Sequence, residues 1–385
     1  MSDKDKYIPY GRQWIDEDDI RAVTDVLRSD WLTQGPKIEE FEKKIAEYCG
    51  VRYAVVLNSG TAALHGAYFA LGLSKDDEFI TTPITFAATA NAGIYLGAKP
   101  VFVDIEPDTG NIDTSKIESQ ITAKTKGIFP VHYSGHPVDL IKINEIARKH
   151  GLFIVEDACH AMGSRFNGEK IGSCKYSDMT VFSFHPLKHI TTGEGGAVVT
   201  NDEYLYEKLL IFRSHGITKK HLLNESHGDW YYEMQLQGYN YRLTDLQAAL
   251  GISQLKKLDN FIEKRRSISD RYSKAFRANP YFDTPIEKDY AFSAYHLYTL
   301  KLKDKYKGVK KNIVSSLKKK GIGTQVHYIP VYRHPFYNSM GFQKDMCPIA
   351  EDFYLRELSI PLYPAMNDDD INYVVKIIIE TFQDI

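Results

Sequence analysis

The spacing of apolar positions changes three times along the chain, and each change predicts a different kind of element. Near the start, Ile20, Val23 and Leu27 recur at helical spacing, and Asp16 stands where it can cap a helix running to about Arg28. The turn WLTQGP, from Trp31 to Pro36, ends that helix, and Pro36 opens a second one, PKIEEFEKKIAEYC. From residue 52 short apolar runs alternate with helical stretches. Strands are expected at 53–57, 79–82, 100–105, 126–131, 152–155, 181–184 and 197–199, and helices at 62–71, 87–96, 115–120 and 140–150. Such alternation predicts an α/β fold with a mostly parallel central sheet covered on both faces.

From 242 to 276, Leu243, Leu246, Leu250, Leu255, Leu258, Phe261 and Ile262 follow turn spacing, which predicts one long helix bridging two domains. The units beyond it are smaller: a strand at 295–302, a basic amphipathic helix at 309–319, a strand at 324–331, and helices near 349–357 and 368–382. A chain of 385 residues exceeds what one core usually serves. The expected division is an N-terminal arm and helix at 1–34, a large domain at 35–250 and a small C-terminal α+β domain at 251–385.

Composition narrows the function classes. Apolar residues make up 43% and charged residues 25%, as in soluble globular proteins. With 48 basic against 50 acidic side chains and no long run of one sign, neither nucleic acid nor a membrane surface is an expected partner. No apolar run is long enough to predict a membrane span, and the opening MSDKDKYIPYGRQW lacks the apolar centre of a secretory signal. Cys49, Cys159, Cys174 and Cys347 are scattered without a CxxC pair. The expectation is free thiols in the cytoplasm and no metal site.

In an α/β sheet, ligands bind beyond the carboxyl ends of the strands. NSGT, TPITF, HYSG, EDACH and SFHPLK all fall at such ends. The turn Asn58-Ser59-Gly60-Thr61 can cradle a phosphate at a helix N-terminus, or Ser59 can simply cap the helix. Asp157 can meet a cation, with His160 three residues on to orient it, or can be a turn former. The stretch VFSFHPLKHITTGEGGAVVT places Lys188 on an irregular segment between two buried strands, after Pro186 and before Gly193, Gly195 and Gly196. A desolvated lysine has a lowered pKa and can attack a carbonyl as a neutral amine; the alternative is a surface lysine at a turn. Tyr10 and Trp31 either pack an arm against the body or line a pocket.

NSGTAAL, TPITFAATANA, EDACHAMGS, SFHPLKHITTGEGGAVVT and GYNYRLTDLQAALG, in this order, resemble the sugar aminotransferases of the DegT/DnrJ family over about residues 8–380. The resemblance implies the aspartate aminotransferase (type I) fold, pyridoxal 5'-phosphate as cofactor, and a homodimer with shared active sites. It also implies residue roles. Lys188 matches the lysine that holds the cofactor, and Asp157 the carboxylate at the pyridine nitrogen. Phe86 matches the aromatic over the ring, and His160 a second polar contact to it. Ser59, Gly60, Thr61 and Ser183 match the phosphate site, and Asn240 a residue reaching the neighbouring subunit's phosphate. Within the family, IPYGRQ, WLTQGP and VHYIPVYRHPFY resemble the members of pseudaminic acid biosynthesis. Those members aminate C4 of a UDP-linked 4-keto-6-deoxy-N-acetyl sugar, with L-glutamate as the expected donor. Tyr10, Trp31, Leu32, Thr33, Gln325, Val326, His327 and Tyr328 match their sugar-nucleotide contacts. His189 and Cys159 depart from the residues common in the family at their positions, which bears on substrate preference rather than on the reaction. Another nucleotide-linked keto sugar, a sugar dehydratase (in which histidine replaces the lysine) and a non-enzymatic regulator remain the alternatives.

Overall fold

The computed structural model describes residues 7–385. Helix α1 (Glu17–Leu27) starts at Asp16, whose side chain accepts from the backbone N–H groups of Asp18 and Asp19. Asp19 completes a capping box. Helix α2 (Pro36–Cys49) has Pro36 in its first turn, where the missing N–H costs nothing.

The central sheet has seven strands: β1 (Tyr53–Leu57), β2 (Glu78–Thr81), β3 (Lys99–Phe102), β4 (Thr125–Ile128), β5 (Phe153–Asp157), β6 (Met179–Ser183) and β7 (Gly196–Thr200), in the order β1-β7-β6-β5-β4-β2-β3. From β3 through β6 all neighbours are parallel, and β7 runs antiparallel to both β1 and β6. The carboxyl ends of β1, β5 and β6 therefore share one edge with the amino end of β7.

Strand periodicity decides what each face holds. On one face Val55, Leu57, Phe79, Phe129, Val155, Val181 and Val198 pack against α3 (Gly60–Ala70), α4 (Ala88–Ile94) and α6 (Glu203–Phe212). On the other, Ala54, Val56, Ile80, Ile128, Ile154, Phe182 and Val199 meet α2, α5 (Leu140–His150) and α7 (Asp245–Leu255). Fully burying one such side chain is worth about 1.5–3 kcal/mol. Because both faces are apolar, register is held by the fit of unlike side chains, such as Ala54 and Val55, against the helices on their own face.

The expected long helix is two. Lys256 and Lys257 separate α7 from α8 (Leu258–Phe276), and the Lys257 backbone N–H turns back to the Gln254 carbonyl. The Lys257 ammonium leaves the helical path to pair with Asp16 and Asp19 of the arm. Helix α8 spans two cores. Leu258, Phe261 and Ile262 join the large sheet's core, while Ile268, Tyr272 and Phe276 join a second. The second core is built on a three-stranded antiparallel sheet, β8 (Phe282–Asp283), β9 (Tyr298–Leu302) and β10 (Glu357–Ile360), in the order β8-β9-β10. It is closed by α9 (Lys310–Lys319) and, after the short helices α10 (Pro335–Ser339) and α11 (Pro348–Arg356), by α12 (Asp368–Gln383).

Two other expectations fail. Residues 115–120 form two short 3-10 turns, because the Asp113 side chain takes the Ser115 backbone N–H and hydroxyl. The segment 324–331 is not a strand. Only Gln325 pairs with Ser359, after which the chain turns and sends His327 and Tyr328 into a cavity. No helix among the described residues is long and apolar enough to cross a membrane.

Candidate active site

A cavity of about 700 Å³ opens at the shared sheet edge. Tyr10, Ser59, Gly60, Thr61, Phe86, Asp157, His160, Ser183, Lys188 and residues 325–328 all line it. Trp31, Leu32, Thr33 and Asn240 do not. Trp31 and Leu32 are 56% and 48% exposed, on a turn held by the buried Asp245, which accepts from the backbone N–H groups of Gly35 and Lys37. The exposed Asn240 lies beside the turn 58–61 of its own chain, its carbonyl accepting from the Asn58 side chain.

Lys188 is delivered by a tight connection between β6 and β7. Its backbone N–H reaches the His185 carbonyl across Pro186, and Thr191 and Thr192 bond back to the Phe184 carbonyl. Gly193 takes a left-handed φ of +79°, which favours glycine. Burial holds the Lys188 amine below the ordinary lysine value, and the nearby Cys159 and Asp157 oppose that shift. A neutral amine is thus more accessible here than on a surface lysine.

Asp157 ends β5 and is 4% exposed. Its Oδ2 accepts from Thr89 Oγ1 at 2.6 Å and its Oδ1 from the Cys159 backbone N–H at 3.1 Å. Thr89 in turn contacts Thr85 Oγ1 at 2.7 Å. Both threonines line the cavity and were missed in the sequence; the signal available was the helical spacing of hydroxyls in TPITFAATANA. The Cys159 thiol is pushed well above its usual value by burial and then by Asp157, so it stays protonated.

His160 is 4% exposed, and its Nε2 lies 2.9 Å from the Tyr328 hydroxyl. His296, also missed, places its ring centroid 4.4 Å from that of His160, and His189 stands 5.5 Å from His296. Burial holds all three imidazoles well below the ordinary histidine range. They remain neutral and add no charge beside Lys188.

At the other end of the cavity the Ser59 hydroxyl caps α3 by accepting from the Ala62 N–H at 3.0 Å. The cap uses only Ser59, and Gly60 and Thr61 of the same turn line the cavity. A Cβ on Gly60 would meet Ser183 Cβ at 2.8 Å, and one on Gly196 would meet the Ser59 carbonyl at 2.6 Å. Glycine is required at both places by close approach. Ser183 Oγ accepts from the His185 N–H at 3.4 Å, which leaves its own hydrogen free to donate. A helix N-terminus with a free hydroxyl beside it is an anion site. Together with a desolvated lysine and a buried carboxylate across one cavity, this donor set fits pyridoxal phosphate.

Comparison with known proteins agrees. The DegT/DnrJ/EryC1/StrS aminotransferase family matches residues 13–379. The UDP-4-amino-4,6-dideoxy-N-acetyl-beta-L-altrosamine transaminase of Campylobacter jejuni (strain 81-176) is 45% identical over 95% of this chain and 95% of its own. The spore coat polysaccharide biosynthesis protein SpsC of Bacillus subtilis is 43% identical over 97% and 96%. The structure of Helicobacter pylori PseC, an aminotransferase of pseudaminic acid biosynthesis, superposes with a TM-score of 0.92 at 39% identity, covering 99% of this chain and 100% of that one. With a desolvated lysine, a buried carboxylate and the Ser59-Gly60-Thr61 turn gathered in one cavity, the chain belongs to the DegT/DnrJ/EryC1/StrS family and is a pyridoxal-phosphate-dependent sugar aminotransferase.

Proposed function

We propose that this enzyme transfers the amino group of L-glutamate to C4 of a UDP-linked 4-keto-6-deoxy-N-acetyl sugar. The product is UDP-4-amino-4,6-dideoxy-N-acetyl-β-L-altrosamine, an intermediate of pseudaminic acid biosynthesis. One observation carries the reading: the wall holding Lys188 and Asp157 is continuous with Tyr10 and the 325–328 segment, so a sugar bound there lies against the reactive lysine. The Campylobacter relative's name supplies the sugar.

Within this reading Lys188 Nζ holds the cofactor and, when released, takes the proton from the donor carbon and returns it. Asp157, fixed on both oxygens by Thr89 and the Cys159 N–H, would supply the negative charge for the ring nitrogen. Gly60, Thr61 and Ser183 bind the phosphate, while Ser59 holds their turn. Phe86 and His160 orient the ring. Bound there, pyridoxal phosphate supplies the electron sink that makes carbon deprotonation possible. The tyrosine and histidine of the 325–328 segment orient the sugar, so its remote nucleotide contributes binding energy at the reacting carbon.

The assembly we propose is a cytoplasmic homodimer with shared sites. Leu223, Trp230, Tyr232 and Met234 are each more than half exposed, as are Phe86 beside the cavity and Trp31. Apolar exposure on this scale suits a partner surface. In that arrangement Asn240 reaches the partner's phosphate site, and the turn Trp31-Leu32-Thr33 reaches its sugar site. The four cysteines are unpaired, as suits a reducing compartment. The test is a panel of UDP-, GDP- and dTDP-linked 4-keto sugars offered to the glutamate-treated enzyme. The UDP-linked N-acetyl sugar should restore the cofactor's visible band fastest; a clear preference for a GDP- or dTDP-sugar overturns the assignment. Failure of glutamate to bleach the band would overturn the donor.

A further inference from the structure

His327 is 6% exposed and lines the cavity, its ring centroid 5.5 Å from that of Tyr10. Behind it lie Glu357 and Ser359, two apart on β10 and so on one face of that strand. They are 1% and 0% exposed. Three hydrogen bonds join the group. The His327 backbone N–H donates to Glu357 Oε2 at 2.8 Å, Ser359 Oγ donates to Glu357 Oε1 at 2.6 Å, and His327 Nδ1 lies 2.8 Å from Ser359 Oγ.

With Glu357 ionised, the proton count leaves one arrangement. An ionised carboxylate only accepts, so it takes the single hydrogen of the serine hydroxyl. Ser359 Oγ can then only accept from the imidazole, and the hydrogen of that bond belongs to His327 Nδ1. A neutral imidazole has one N–H, so Nε2 is a bare acceptor. Nε2 has no hydrogen-bond partner among the described residues, although the side chain is more than nine-tenths buried.

We propose that Glu357 and Ser359 fix His327 as its Nδ1–H tautomer, making Nε2 a permanent acceptor that selects nucleotide sugars presenting a hydroxyl or amide N–H at that point. The selection of sugars rests on the function proposed above; the tautomer does not. Two further facts support it. Burial, aided by the charge of Lys188, pushes the His327 imidazole down to about 3, so the ring stays neutral in use. Burial also pushes the Glu357 carboxyl up to about 7, against the charge of Lys310, whose own pKa burial lowers to about 8; the bonds from Ser359 and the His327 N–H favour the ionised carboxylate. Glu357 and Ser359 are thus positioning residues, acting through His327.

The test is long-range proton–nitrogen correlation on the full-length, cofactor-loaded enzyme labelled with ¹⁵N-histidine, at about pH 8.5, where a carboxyl titrating near 7 is ionised. The His327→Gln variant assigns the signal. Wild type should show a protonated Nδ1 and a bare Nε2. In Glu357→Gln the amide oxygen must face the His327 N–H, so the amide nitrogen donates to Ser359, whose hydroxyl then donates to Nδ1. The imidazole proton should move to Nε2. The same variant should lose about 10- to 100-fold in kcat/KM for the sugar half-reaction, as expected when a buried donor–acceptor match is broken, with the glutamate half-reaction within about twofold. Should Glu357→Gln not fold, Ser359→Ala should mix the two tautomers instead. A protonated Nε2 in wild type, or an unchanged tautomer in either variant, overturns the inference. Tautomers that move as stated while sugar kinetics stay unchanged overturn the selection of sugars, and with it the placing of the sugar at this segment.

Discussion

Adding one methyl group at Gly60 tests whether the first turn of α3 and the end of β6 form the phosphate site together. The Cβ of alanine would lie 2.8 Å from Ser183 Cβ and 3.0 Å from Ser183 Oγ. Carbon atoms rest at about 3.5–4.0 Å, so the overlap is roughly 1 Å. Ser183 cannot swing away, because its Cβ is set by the backbone of a strand end paired with Gly196. The first turn of α3 must move instead, carrying the Gly60 and Thr61 N–H groups away from the serine hydroxyl. Overpacking of this kind costs about 1–3 kcal/mol. If the strain falls on the bound state, cofactor affinity drops about 5- to 140-fold, at 1.4 kcal/mol per factor of ten. The assay is equilibrium titration of the apoenzyme with pyridoxal phosphate, in a double-mutant cycle with Ser183→Gly. Ser183→Gly loses a hydroxyl but also removes the obstructing Cβ, leaving Cα at an ordinary 3.5 Å. The double variant should therefore bind like Ser183→Gly alone. Gly60→Ala affinity within twofold of wild type, or strictly additive losses, would refute the reasoning.

Other expectations follow from the same site. Burial lowers the Lys188 pKa, so its neutral amine becomes populated at lower pH than in a free lysine. Stopped-flow capture of pyridoxal phosphate by the apoenzyme should accelerate with pH and level off below about 10.4; a rate still climbing through that value contradicts it. Thr89→Val removes the 2.6 Å bond to Asp157 and should slow both half-reactions by one common factor of about 10 to 100, with Thr89→Ser restoring them. Unequal slowing would place Thr89 on a substrate instead. If Asn240 reaches the partner's site, mixing inactive Lys188→Ala and Asn240→Ala chains should recover activity through hybrid dimers with one intact site. Subunit exchange shown by mass, with no recovery, would count against the shared site.

Much of the scaffold was legible because its punctuation is local. Asp16 caps α1, Pro36 opens α2 and Pro186 ends the strand before Lys188, each through a backbone N–H satisfied or absent within a few residues. Short apolar runs between helical stretches marked the strands of the sheet, and the position of NSGT, EDACH and SFHPLK at strand ends placed the candidate site. Helical periodicity ran on through Lys256 and Lys257, because the break there comes from a lysine recruited by Asp16 and Asp19 some 240 residues earlier. TQVHYIPV alternates like a strand, yet Glu357, Ser359 and Tyr133 draw residues 325–328 into the cavity wall.

What the sequence determined by itself was most of the elements of the large sheet and the residue types at their ends, since both depend on neighbours within one turn of helix or one step of strand. Only the tertiary structure decided which ends meet. The strand order β1-β7-β6-β5 brings Gly60, Ser183, Lys188 and Asp157 to one cavity, and nothing local encodes that order. Packing of α4 on the sheet turned Thr89 toward Asp157, and the chain flanking the second core set His296 and His327 in the cavity with Lys188. It also left Trp31, Leu32, Thr33 and Asn240 outside their own chain's cavity. Such placements arise from contacts between residues tens to hundreds of positions apart, whose burial free energy is shared over the whole core and leaves no periodic trace in the chain.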